Sequence, residues 1–180
     1  LNKATTAADY QELANSFERI SQAAAGEWLP YYYISYCYLN YCFAEGAPTE
    51  GIDGYLDKAE TFLGKARELS PANAEIEVLQ GWIHQGRIQV DPMGRGMVYS
   101  EKASASFGKA KAIDPENPRV YFLTGMNIMY TPEMFGGGKT AACPYFLIAK
   151  EKFSKFEPAS EIAPDWGMEY NNELANGCEL

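Results

Sequence analysis

Histidine occurs once in these 180 residues and cysteine four times. With one imidazole and no Cys-x2-Cys or Cys/His ligand spacing, a structural zinc site has no ligand set to form from. No apolar run approaches the roughly 18 residues that a bilayer-crossing helix needs, so membrane insertion is not expected. Basic side chains are scarce: 15 Lys and Arg stand against 24 Asp and Glu, for a net charge of −9. A nucleic-acid partner requires a basic face for its phosphates, and that balance excludes one. Apolar and polar residues nowhere alternate with the period of two that a half-buried strand needs, so the chain reads as all-α.

Catalytic constellations are missing as well. There is no Gly-x-Ser-x-Gly elbow and no His-Glu-x-x-His, and His84 lies alone in the middle of a predicted helix. Carboxylates such as Asp57, Glu60 and Glu68 are spread over helix faces, as on a solvated surface. Gly138-Lys139-Thr140 matches the end of a phosphate-binding loop, but Glu133 stands where that loop needs glycine and a helix, not a strand, precedes it. The chain is therefore expected to be non-enzymatic and to carry neither a cofactor nor a metal.

Aromatic residues are abundant: 13 Tyr, 9 Phe and 3 Trp in a chain long enough for one domain with a sizeable core. Helical periodicity predicts helices at about 6–24, 28–44, 55–69, 74–89, 97–112, 118–129, 140–156 and 165–176. Cys37 and Cys42, five apart on one of these helices, point to different faces and make poor disulfide partners. Cys143 and Cys178 can meet only if the last helix folds back on the helices near 140–156.

The helices repeat. Ala59-x3-Leu63-x2-Ala66-x4-Pro71 returns 44 positions on as Ala103-x3-Phe107-x2-Ala110-x4-Pro115, and less completely as Ala149-x3-Phe153-x2-Phe156. Gly81 and Gly125 each follow the preceding proline by ten positions, inside otherwise helical stretches. Small residues at fixed phases let paired helices approach closely, and a glycine there outweighs a propensity cost of about 1 kcal/mol. This frame resembles the tetratricopeptide repeat, a helix-turn-helix unit of about 34 residues. The resemblance implies a right-handed solenoid of antiparallel helical hairpins, about eight helices in one domain. Its parts would be a capping helix at 1–26, hairpins at 27–73, 74–117 and 118–164, and a terminal capping helix at 165–180. The longer period leaves about ten extra residues between the two helices of each unit, at 44–54, 88–97 and 130–139. Glycine and proline in these segments favour protruding loops along one edge over helices that are each a turn longer.

In that family the first helix of each hairpin lines a concave face. The resemblance carries the lining to Tyr31, Ile34, Tyr38 and Tyr41, to Glu75, Val78, Trp82 and Gln85, and to Arg119, Phe122, Met126 and Met129. Lys and Asn, which clamp a peptide's terminal carboxylate in such repeats, are absent from these positions. The expectation is a scaffold that binds a hydrophobic protein or peptide segment in an aromatic groove, unless the protein's own loops or a second copy cover it. Arg95, Glu133, Met134 and Phe135 would form a rim on the loop edge, or Met93, Met134 and Phe135 would tuck over helix ends. The alternative function is a module for a small apolar or glycan-like ligand held under the edge loops near Trp82 and Phe135. Self-association through the open end of the stack is a further option. The chain begins at Leu1, which reads as the trace of a removed upstream segment such as a signal peptide. In overall character it looks like small exported bacterial repeat proteins, which favours an exported or periplasmic location.

Overall fold

The computed structural model describes residues 4–178, and the regular structure among them is helical. In order these are α1 (Ala7–Ala23), α2 (Trp28–Tyr41), α3 (Ile52–Leu69), α4 (Ala74–Val90), α5 (Pro92–Ile113), α6 (Pro118–Tyr130), α7 (Lys139–Phe153) and α8 (Met168–Asn176), with a single 3-10 turn at Glu133–Phe135. No strand forms among the described residues; one isolated bridge, Thr6 to Glu45, pins the α2–α3 link against the start of α1.

Helix starts are chemically marked. Thr6 and Asp9 form a reciprocal capping box at α1, while Asn73 and Asn117 accept from the Glu75 and Arg119 amides at α4 and α6. Such caps satisfy amides that have no partner inside the helix and contribute about 1 kcal/mol each. Every helix packs on its neighbours in sequence, and α4 also meets both α2 and α6 directly. Thus α2, α4 and α6 share one layer, and α1, α3, α5 and α7 flank it.

The core follows the small-large-small frame. Ala59, Leu63 and Ala66 on α3 and Ala103, Phe107 and Ala110 on α5 are all buried. Gly81 faces Phe107 so closely that a Cβ there would stand 2.2 Å from Phe107 Cε1. Gly125 makes the same contact with Phe146, at 2.6 Å. That contact corrects the third repeat: its true frame is Ala142-x3-Phe146-x2-Ala149, all buried, and not Ala149-Phe153-Phe156. The two frames overlap because residues seven apart share a helix face; the link before α7 is shorter than a constant period assumes.

The expected loop at 88–97 is also corrected. α4 runs to Val90 and α5 begins at Pro92, so Asp91 alone separates them. The Asp91 side chain accepts from the Gly94 amide, Pro92 takes the first helical position, and Arg95 reaches Asp53 on α3. Together these offset the roughly 1 kcal/mol that each of Gly94 and Gly96 costs in a helix. Of the three expected edge loops, 42–51 and 131–138 form and the middle one does not, so the continuous edge of three loops is absent. The last helix starts at Met168 instead of 165, after the turn-rich segment 154–167.

Cys143 on α7 and Cys178 after α8 form a disulfide, because α8 does fold back onto α7. Cys37 and Cys42 are free and buried. No helix among the described residues is long and apolar enough to cross a membrane.

Candidate functional site: an aromatic cluster on the inner face

The inner face of the α2–α4–α6 layer is built around tryptophan and tyrosine. Trp82 on α4 meets Tyr36 on α2, ring centres 5.8 Å apart and edge to face. Both rings also pack on Trp166, at 4.9 Å from Trp82 and 5.7 Å from Tyr36. All three are half-buried, so part of each ring remains open. Met126 and Met129 on α6 lie half-buried in the adjoining core, and Tyr170 on α8 sets its edge against Phe122 at 6.0 Å.

Trp166 reaches this position from the irregular segment 154–167 between α7 and α8. Its indole N–H donates to Tyr32 Oη at 2.9 Å, and Tyr33 Oη donates to the Ile162 carbonyl at 2.7 Å. The segment therefore crosses back over α2, and Gly167, at φ +102°, makes the turn into α8 where a side chain would press on Phe153 and Phe122.

Beneath the cluster lies an ion pair. Arg119 is fully buried (0% exposed), and its Nε and Nη2 donate to Glu75, which also accepts from Asn117 Nδ2 at 2.6 Å. The guanidinium also lies 4.5 Å from the Phe156 ring centre and 5.4 Å from that of Trp166. A buried cation is tolerated only when its donors are met, and here carboxylate and aromatic faces meet them. The phenols around it stay neutral at physiological pH: burial raises those of Tyr32 and Tyr36 far above the ordinary range and pushes Tyr33 up to about 12.

The α4 and α6 positions carried over from the repeat resemblance fall on or beneath this face. Trp82 is in the cluster, Gln85 donates to the Leu123 carbonyl on α6, and Val78 and Phe122 are buried below. Arg119 and Glu75 are the ion pair. The α2 positions do not belong there. Tyr38 donates to Glu18 on α1 and stacks on Phe62 of α3, and Tyr31 faces Ser21 on α1 with Lys65 of α3 over its ring. Tyr41 packs on Tyr55 of α3, and Ile34 is fully buried. The inner face of α2 carries Tyr32, Tyr33 and Tyr36 instead. The carried-over phase assumed one constant period of 44, but α2 and α4 begin 46 positions apart while α4 and α6 begin 44 apart, so the carried-over α2 positions lie two residues, about 200°, out of phase.

The edge residues separate too. Arg95 is held by Asp53, at 2.7 and 2.9 Å, and that contact keeps the Asp53 carboxyl below its ordinary range. Met134 (83% exposed), Phe135 (72%) and Met93 (97%) stand in solvent, so the tucked arrangement does not occur; Glu133 sits exposed in the same 3-10 turn. His84 lies between Glu60 of α3 and Tyr99 of α5, on the side of α4 away from Trp82, and burial lowers its pKa.

Tyr32, Tyr33, Tyr36 and Trp166 were not among the expected site residues. α2 carries tyrosine on every face, so its sequence holds no phase signal. Trp166 lies in a segment of prolines and turns without periodicity.

Fold and site together define a class: an all-α protein, with eight helices among the described residues, whose inner face holds a partly open aromatic cluster. Among solved structures the chain is similar to the HusA haemophore from Porphyromonas gingivalis, at TM-score 0.84 and 32% sequence identity, covering 94% of this chain and 83% of that one. The chain belongs to the family of that haemophore. No protein-family model and no curated protein matches the sequence.

Proposed function

We propose that this protein binds haem or a similar flat tetrapyrrole non-covalently on its inner face and serves as an exported carrier rather than a catalyst. The observation that carries the reading is the half-open Tyr36–Trp82–Trp166 cluster in a chain of the haemophore's family. Aromatic faces suit a flat conjugated ring, which gains from stacking and from leaving water. The single histidine lies on the side of α4 away from Trp82, so it is not placed to ligate the iron of a haem seated on this face. The Cys143–Cys178 disulfide supports an oxidising compartment and with it export. The stack itself we read as tetratricopeptide-like and right-handed, in one domain, which the matching Gly81–Phe107 and Gly125–Phe146 contacts support.

This reading moves the alternative ligand site from the edge loops to the inner face. Capture of a hydrophobic peptide there has less support, because residues 154–167 cover part of it. The test is titration with ferric haem, followed by the Soret band and tryptophan quenching. Trp82→Leu combined with Tyr36→Leu should weaken binding by about 5- to 150-fold, from two lost aromatic contacts of about 0.5–1.5 kcal/mol each. Unchanged affinity in a double variant with native circular dichroism sinks the proposal.

A further inference from the structure

We infer that Trp166 holds the ligand's seat in the empty protein, and that segment 154–167 is a strap the ligand displaces. This rests on the haem-binding reading above. The Trp166 indole lies tilted against Trp82 and Tyr36, with ring centres 4.9 and 5.7 Å away, in the space a flat ligand stacked on Trp82 would take. A ligand stacked on Trp82 from the inner side and the indole cannot occupy that space together.

The strap is built to leave. Residues 154–167 hold no helix, and 157–162 are all exposed, so the apolar area that opposes lifting the segment is confined to Phe156, Pro164 and Trp166. Its polar ties are few: Tyr33 Oη to the Ile162 carbonyl, the Trp166 indole to Tyr32 Oη, and a long 3.4 Å contact from Arg119 Nη1 to the Trp166 carbonyl. Both ends are anchored, by buried Phe153 on α7 and by the Gly167 turn into α8, whose far end the disulfide fastens to α7. A flexible segment between two fixed anchors can swing out without disturbing the helices. Lifting the strap takes the Phe156 and Trp166 faces off the Arg119 guanidinium, but the Glu75 carboxylate stays paired with it in either position.

The closed strap lowers apparent affinity by the fraction of molecules that are open, so loosening it must tighten binding. A fixed wall of the site gives the opposite sign. Tyr33→Phe removes one tie and keeps the ring stacked on Phe17. One hydrogen bond is about a 2- to 10-fold effect, and the variant should bind ferric haem tighter by that factor. Amide hydrogen exchange across 157–163 should also speed up when wild-type protein is saturated with ferric haem. Unchanged or weaker binding by Tyr33→Phe, or slower exchange in the strap on saturation, overturns the inference while leaving the haem reading standing. A wild-type protein that gives no Soret change overturns both.

Discussion

Removing the Glu75 carboxylate tests whether the inner face is organised by a buried charge. In Glu75→Ala three donors lose their acceptor at once: Arg119 Nε, Arg119 Nη2 and Asn117 Nδ2. Arg119 has no exposed surface through which water could replace them. Each unmet buried donor costs about 1–3 kcal/mol, and breaking a buried ion pair by removing one partner costs about 3–5 kcal/mol, so the two routes agree on at least about 3. Replacing both partners, as in Glu75→Leu with Arg119→Met, removes the desolvated charge along with its partner and should recover most of that loss. The assay is urea unfolding of wild type, both single variants and the double variant. With a slope of about 2–3 kcal/mol per molar for a chain of this size, Glu75→Ala should lower the midpoint by about 1–2 M at constant slope. A shift in Glu75→Ala below about 0.3 M, or a double variant no more stable than the single one, would refute the claim that the charge is truly sequestered. The same variants report on the strap, because Trp166 leans on the Arg119 guanidinium.

Reduction of the Cys143–Cys178 bond opens a loop of separation 35, worth about 4 kcal/mol in the chain-entropy account. The melting temperature should fall by roughly 10 °C in dithiothreitol, and Cys143→Ser should reproduce the drop without reductant. Burial pushes the Cys37 and Cys42 thiols up to about 12, from an ordinary value near 9. Neither should react with a disulfide reagent at pH 8 until urea is added, when two thiols should appear. A raised acid pKa stabilises the fold fully below the unfolded value and loses that contribution as pH climbs through the folded one. Stability should therefore decline between about pH 9 and 12, with buried Tyr33 contributing near the upper end, and a melting temperature that stays flat across that window contradicts the assignment.

The order and extent of most helices were legible because their signals are local. Caps such as Asn73 and Asn117, the prolines at helix starts, and apolar spacing act within a few residues, and each landed close to its predicted place. The Asp91–Gly96 stretch misled for a related reason. Its glycine and proline content predicts a loop, but a cap from Asp91 and the reach of Arg95 to Asp53 outweigh that preference, and Asp53 is 42 positions away in sequence. The Ala-x3-Phe-x2-Ala frame was visible and correct twice; its third instance was misplaced by one heptad because two overlapping frames satisfy the same helix face.

The site was legible only where a single face stood out. On α4 and α6 the apolar stripe identifies Trp82, Met126 and Met129, whereas on α2 tyrosine occurs all round the helix and nothing local chooses among Tyr31, Tyr32, Tyr33, Tyr36 and Tyr38. What the amino-acid order determined alone was an all-α chain with small-large contacts between paired helices. The tertiary structure decided which tyrosines face inward, that Arg119 is buried against Glu75, and that Trp166 folds back onto Trp82. Those outcomes depend on link lengths and on contacts such as Trp166 to Tyr32, 134 positions apart, and rotations set across such distances leave no periodic trace in the sequence.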